Sequence, residues 1–212
     1  MKKLVYITLM ICSLFILQSC SSDLDFITAE EDPVVYPSQT ITDSTGAAIS
    51  IDGTYLIACS ESGKNSLVIS ATNATLEGEG FSGADCAASS LQYVYTSNLT
   101  FAIGAAGTDN ESNAVNKVSL TLQSQILTPK SDIFVTSFNE STAYGFTDWT
   151  KDVGKDIIEL NEDGTAFTKG RTPFLDIWSV SGTSLRMGAY DADIDTTTTY
   201  PTGLDYEVWV KQ

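Results

Sequence analysis

The sequence predicts an all-β domain, an antiparallel barrel or sandwich of roughly eight to ten short strands with one short helix. Three observations carry that expectation. β-Branched and aromatic residues fall in short runs of alternating polarity. Gly, Asn and Asp punctuate those runs. One stretch, after Thr128-Pro129, changes to helical spacing.

The domain is preceded by a leader. Lys2 and Lys3 stand before an apolar run from Leu4 to Leu17, which ends in Gln18-Ser19-Cys20. The run is shorter than the about twenty residues a membrane-spanning helix needs and fits the apolar core of a secretory signal over residues 1–19. Leu17-Gln18-Ser19-Cys20 resembles the lipobox of bacterial lipoproteins, which implies cleavage before Cys20 and acylation of its thiol. Several acyl chains, at about 0.8 kcal/mol per buried methylene, would anchor the protein to a membrane without spanning it. Ser21 follows Cys20 where Asp favours inner-membrane retention, so the expected address is the outer membrane or cell surface. Asp23, Asp25, Glu30, Glu31 and Asp32 resemble surface-export signals. Residues 20–48, rich in Asp, Glu, Ser, Thr and Pro, read as the acylated N-terminus and a flexible tether. Residues 49–212 read as one domain.

Within that domain, Ile49-Ser50-Ile51-Asp52 alternates and leads through Gly53 into Tyr55-Leu56-Ile57-Ala58. Residues 61–65 form a turn, and Ser66–Ser70 pairs back. Thr75–Phe81 is a further strand, with Gly78 and Gly80 permitting a bulge or close backbone approach. Leu91–Tyr95 and Leu99–Ile103 flank Ser97-Asn98, the expected tip of a hairpin. Val118, Leu120 and Leu122 mark a long strand over residues 115–127. Thr128 suits a helix N-cap and Pro129 the first helical position, so a helix is expected over residues 129–139. Strands are expected again at 156–160, 165–168, 174–180, 184–190 and 206–210.

Several motifs resemble bacterial lipocalin-like domains: Gly53-Thr54-Tyr55 with Cys59 close behind, Cys86 ahead of an aromatic segment, Thr128-Pro129, Asn139, Gly145-Phe146-Thr147-Asp148-Trp149, Ser184–Gly188 and Tyr200–Asp205. The resemblance spans about 50–210. It implies an antiparallel, calycin-type barrel of about eight strands able to enclose one small ligand, with Arg186 the nearest candidate to cover the barrel base.

Composition excludes several chemistries. The chain has no His, which removes Ser-His-Asp and Cys-His triads and His-metal sites. With Cys12 in the leader and Cys20 acylated, Cys59 and Cys86 are left; an oxidising envelope permits a disulfide between them, the alternative being two separate thiols. Loss of Lys2 and Lys3 takes the 11 basic residues to 9 against 27 acidic ones, a formal −18. Such a surface repels nucleic acid and anionic lipid. Asp191, Asp193 and Asp195 alternate like the opening of a calcium loop, yet Thr196 and Thr202 stand where that loop needs Gly and Glu; a solvated hairpin tip is the stronger reading. Carboxylate pairs such as Glu159 and Asp176 can be named freely in so acidic a chain and do not specify a glycosidase.

The aromatics remain. Tyr55, Tyr93, Tyr95, Phe101 and Trp178 are the residues expected to line a cavity, with Trp149 and Trp209 as further candidates. The expected function is therefore a lipid-anchored, non-enzymatic barrel without cofactor that binds a small, mostly apolar molecule. The alternatives are a surface adhesin or glycan-binding module and, third, a subunit of an outer-membrane assembly.

Overall fold

The computed structural model describes residues 40–212 except 44, 61, 168–169 and 190–194. The leader, Cys20 and most of the expected tether lie outside the described residues, as do Asp191 and Asp193. The described elements run in chain order β1 (Thr40–Thr42), β2 (Ala48–Ser50), β3 (Gly53–Ser60), β4 (Gly63–Ser70), β5 (Asn73–Phe81), β6 (Leu91–Thr108), β7 (Ala114–Pro129), helix α1 (Asp132–Ser141), β8 (Lys155–Asp156), β9 (Phe174–Ser181), β10 (Ser184–Arg186) and β11 (Trp209–Lys211).

Eight of these strands close an antiparallel barrel. Each of β3 to β7 pairs with the next, β9 joins β7, and β10 and β11 carry the wall back to β3. The wall is uneven. β6 and β7 pair over nearly their full length, whereas β11 meets β3 only at Val210–Leu56 and Lys211–Tyr55. Closure leaves no free edge along the pairings that carry it.

Alternation sets the inner face. Leu99, Phe101 and Ile103 of β6 pair with Leu122, Leu120 and Val118 of β7, all six buried. Between Asn98–Ser124 and Leu99–Leu122 the register slips, leaving Gln123 as an extra residue on β7. This bulge reverses the phase of β7, so that Leu122 and Leu127 both face inward although five positions apart.

The two ends of the barrel are closed differently. At one, the β1–β2 hairpin lies across the opening, with Ile41 and Ile51 buried against Tyr55, Trp178 and Leu185 in the main core cluster. Asn116 of β7 clamps it: its carboxamide accepts from Thr42 N at 3.1 Å and donates to Thr42 O at 2.8 Å. The Tyr55 hydroxyl donates to Ile51 O at 2.9 Å. At the other end α1 packs on β6 and β7 through an aromatic cluster. Phe134 stacks on Tyr93 with ring centroids 4.8 Å apart, and Phe138 meets Trp149 edge-on at 5.1 Å. The Trp149 indole donates to Ala143 O, and Asn139 brackets the Trp149 backbone through its N–H and carbonyl. Cys59 and Cys86 form a disulfide with Cα atoms 5.9 Å apart, tying the end of β3 to the loop before β6.

Several expectations are corrected. No hairpin tip lies at Ser97-Asn98; β6 runs straight through, because Asn98 faces outward and bonds Thr75 on one neighbour and Ser124 on the other. Thr128-Pro129 ends β7 rather than opening the helix, with Pro129 opposite Tyr93; Ser131 is the N-cap, its hydroxyl accepting from Phe134 N at 3.2 Å. β1 falls inside the stretch expected to be tether and contributes Ile41 to the core. The strands expected at 184–190 and 206–210 are shorter or shifted, at 184–186 and 209–211. Arg186 does not cover the barrel base. Leu185 points inward, and Arg186 donates to the carbonyls of Asp205 and Leu204, pinning the chain that crosses outside.

Candidate functional site

The cross-strand register sorts the interior into rows. Next to the Phe101–Leu120 and Ile103–Val118 pairs at the hairpin end, Ile69, Ala74, Leu99 and Leu122 lie side by side across β4 to β7. The next row is Tyr55, Leu67, Leu76, Ser97 and Gln125. The third is Ile57, Asn65, Gly78, Tyr95 and Leu127. The fourth, nearest α1, is Gly63, Gly80, Tyr93 and Pro129. Rows are two residues apart along each strand, about 6–7 Å.

The hairpin half of this interior is packed solid. Trp178 is 0 % exposed, Tyr55 1 % and Phe101 6 %, and the Phe101 and Trp178 rings lie 5.3 Å apart. Burial holds the Tyr55 phenol above its ordinary range, with Asp52 adding to the shift. Asp176 is buried beside Trp178. Its carboxylate accepts from the indole N–H at 2.7 Å, from Ile177 N at 2.7 Å and from Gly188 N at 2.9 Å. A Cβ at Gly188 would meet that carboxylate at 2.5 Å, so the approach requires glycine.

Rows two and three differ. Leu76 and Asn65 occupy inward positions yet keep part of their surface accessible, Leu76 packing against the main core cluster. Ser97, opposite Leu76, is 3 % exposed. Gln125, its neighbour on β7, is half-buried. None of the Ser97, Asn65 and Gln125 side chains has a hydrogen-bond partner among the described residues. Gly78 leaves the wall bare between Asn65 and Tyr95. One step further out, Tyr93 lies across Gly80, where a Cβ would meet its ring at 2.2 Å. These rows bring three polar side chains without partners among the described residues to inward positions beside Leu76, Gly78 and Tyr95.

The five aromatics expected to line a cavity thus divide. Tyr55, Phe101 and Trp178 form the packed floor, while Tyr93 and Tyr95 belong to the cluster under α1, Tyr95 opposite Gly78. Sequence reasoning missed Asn65, Ser97, Gln125 and Leu76. The available signal was a break in the apolar alternation: Ser97 interrupts Tyr93, Tyr95, Leu99 and Phe101 at an inward position.

Of the three acids expected at a cation site, Asp195 alone is described; its Oδ1 accepts from Thr197 N and Oγ1 at 3.0 and 2.6 Å, capping a turn. No group of three or more metal-ligating side chains occurs among the described residues. Trp149 and Trp209, 2 % and 7 % exposed, offer no surface to a sugar ring.

No protein-family model matches the chain, and no curated protein matches it. Its architecture defines its class: an all-β, closed antiparallel barrel of eight strands with one short helix, a calycin-like fold.

Proposed function

We propose that this protein is a lipid-anchored, non-enzymatic binding protein of the outer membrane or cell surface, whose barrel takes one small, mostly apolar molecule into the crevice at the helix end. The observation that carries the reading is Ser97, 3 % exposed at an inward position between Leu76 and Gln125, whose hydroxyl has no partner among the described residues. Few polar groups set in an apolar concavity are the usual make-up of a ligand site.

The binding test is a titration of the purified full-length chain with diphenylhexatriene, a hydrocarbon that fluoresces when taken out of water. Saturable, one-to-one enhancement is expected; no enhancement above that given by an unrelated folded protein refutes the reading. The anchor rests on the sequence around Cys20 and is tested separately by labelled palmitate, which the parent incorporates and Cys20→Ala does not. The glycan-binding alternative has one observation in its favour, Tyr206 at 90 % exposure. Retention on a glycan array that Tyr206→Ala abolishes would establish it.

A further inference from the structure

We propose that the Cys59–Cys86 disulfide is a redox latch: a dithiol opens it in the folded protein, and its opening frees loop 82–90 and the end of β3 while the barrel stays closed. The inference does not depend on the binding reading above.

Neither segment that the bridge joins is well held by anything else. Cys59 lies where the β3–β4 register shifts, between the Ile57–Asn65 and Ser60–Gly63 pairs, and Ala58, Cys59 and Ser60 are all exposed. On the other side of the bridge, no residue from 82 to 90 is buried. The hydrogen bonds of that loop are local. Ser82 N donates to Ser90 O, Cys86 N to Gly83 O and Ala87 N to Asp85 Oδ1, while Ser90 N and Oγ both donate to Ala87 O. The Cys86 sulfur lies 3.5 Å from Gly63 O, but a bridged sulfur has no hydrogen to donate. Among the described residues, the disulfide is therefore the bond that fastens this loop to β3. Cys86 itself sits at φ +49°, in the left-handed region that favours glycine, so the fastened loop carries backbone strain that release can relieve.

The wall beside the bridge is held by other means. β3 pairs with β4 without a break from Gly53 to Ile57, and β5 pairs with both neighbours along its length. At the root of the loop Phe81 is 4 % exposed, and its N–H donates to Ser62 O. A segment with no buried side chain opens at a smaller free energy than the barrel as a whole, and exposed disulfides are the ones that reductants reach. The step balances. A thiolate of the dithiol attacks the exposed Cys59 sulfur, the S–S bond breaks, and Cys86 leaves as a thiolate that takes up a proton. The second sulfur of the dithiol then displaces Cys59 from the mixed disulfide. The reductant ends as its own disulfide, having passed two electrons and two protons to the two cysteines.

The test is reduction of the purified full-length chain by dithiothreitol in native buffer, with alkylation at Cys59 and Cys86 followed by peptide mass. Both cysteines should become alkylated at a rate within about tenfold of that in unfolding urea, because the bridge is reached without unfolding. The reduced protein should keep its aromatic near-ultraviolet circular dichroism. Its amide exchange should rise at least about tenfold at residues 58–60 and 82–90 and change by less than about twofold across the middle of β6 and β7. The Cys59→Ser, Cys86→Ser double variant should show the same exchange pattern with no reductant; should it fail to fold, the parent reduced after folding gives the decisive reading. A bridge that resists dithiothreitol until urea unfolds the chain overturns the latch. So does faster exchange spread evenly over the whole barrel, or exchange at 82–90 that reduction leaves unchanged.

Discussion

One barrel interior carries two halves built to different rules. Against the β1–β2 hairpin the inward side chains are buried and apolar or hydrogen-bonded, and Trp178, Leu185 and Ile51 have no exposed surface. Towards α1 the same strands present Asn65, Gly78, Ser97 and Gln125, with Asn65 and Gln125 only partly buried. Closing eight strands fixes the width of the tube but not its filling. The larger core cluster lies in one half, and the other carries, beside its aromatic cluster, polar groups a core would reject.

Trp178→Ala should break the comparison most severely. It empties the centre of the packed half, at about 3–5 kcal/mol, and removes the indole N–H from the buried Asp176 carboxylate. Urea unfolding followed by near-ultraviolet circular dichroism should show a midpoint far below that of the parent, or no folded baseline. A midpoint within the error of the parent would mean that the core is not where the burial places it.

Removing the disulfide comes next. Cys59 and Cys86 are 27 residues apart, and opening that loop in the unfolded chain costs about 3 kcal/mol in the chain-entropy model. The Cys59→Ser, Cys86→Ser double variant should melt lower by many degrees. Because the bridge ties β3 to the loop before β6, its loss should loosen the helix end first, seen as faster amide exchange in β3 and the Gly83–Ser90 loop. Protection of the β1–β2 hairpin should persist until global unfolding.

Asn116→Ala acts at the opposite end. It leaves the Thr42 N–H and carbonyl without their amide partner, costing about 1–3 kcal/mol. Exchange at Ile41 and Thr42 should rise while α1 stays protected. Equal loosening of both ends would show that the two closures are one cooperative unit.

How much of this was legible in the sequence follows from the same contrast. Alternation in Leu99–Ile103 and Val118–Leu122 marks strands whose faces the barrel needs, and Gly-rich turns mark their ends. Those elements, the one helix and the eight-stranded barrel implied by the lipocalin-like resemblance are all present. Two kinds of feature were not legible. Asn98 looks like a turn residue because its carboxamide usually serves a turn, whereas here it bridges two neighbouring strands, a role fixed only once those strands are adjacent. Gln123 reads as an ordinary strand residue, yet as a bulge it reverses the phase of β7 and brings Gln125 to the inner face beside Ser97. The inward place of Gln125 depends on that slip, which belongs to the pairing of β6 with β7 rather than to either strand alone.

Ser97→Ala sharpens the comparison by a small effect of unusual sign. Truncating a buried residue in the packed half is costly; here the group removed has no partner among the described residues. Stability of the empty protein should change by less than about 1 kcal/mol, with a gain more in keeping with the structure than a loss. A loss of about 2 kcal/mol or more in urea unfolding would mean that the hydroxyl is a satisfied structural group and that the two halves are not distinct.

The smallest expected effect is acid sensitivity, which arises outside the barrel in its acidic turns. The Asp163 carboxylate is held below its ordinary value of 3.8 by the Thr165 hydroxyl and then by Thr165 N; its Oδ1 accepts from them at 2.6 and 2.9 Å. Asp43 is lowered likewise, by Thr45 first and by the Ala47 amide next. A carboxyl group whose pKa is lower folded than unfolded stabilises the fold above its unfolded value. That contribution disappears as pH falls through the folded value, because both states are then protonated. The melting temperature should therefore be level from pH 7 to about pH 5 and decline below about pH 4. Asp163→Asn should change the neutral-pH value slightly and shave a small part from the acid decline. Both turns are exposed, so the binding crevice should keep its affinity for a neutral ligand over the level part of the curve. A melting temperature that rises below pH 4 would contradict the turn assignments, and a ligand affinity that falls between pH 7 and pH 5 would place a titrating group in the crevice, where neutral side chains are found.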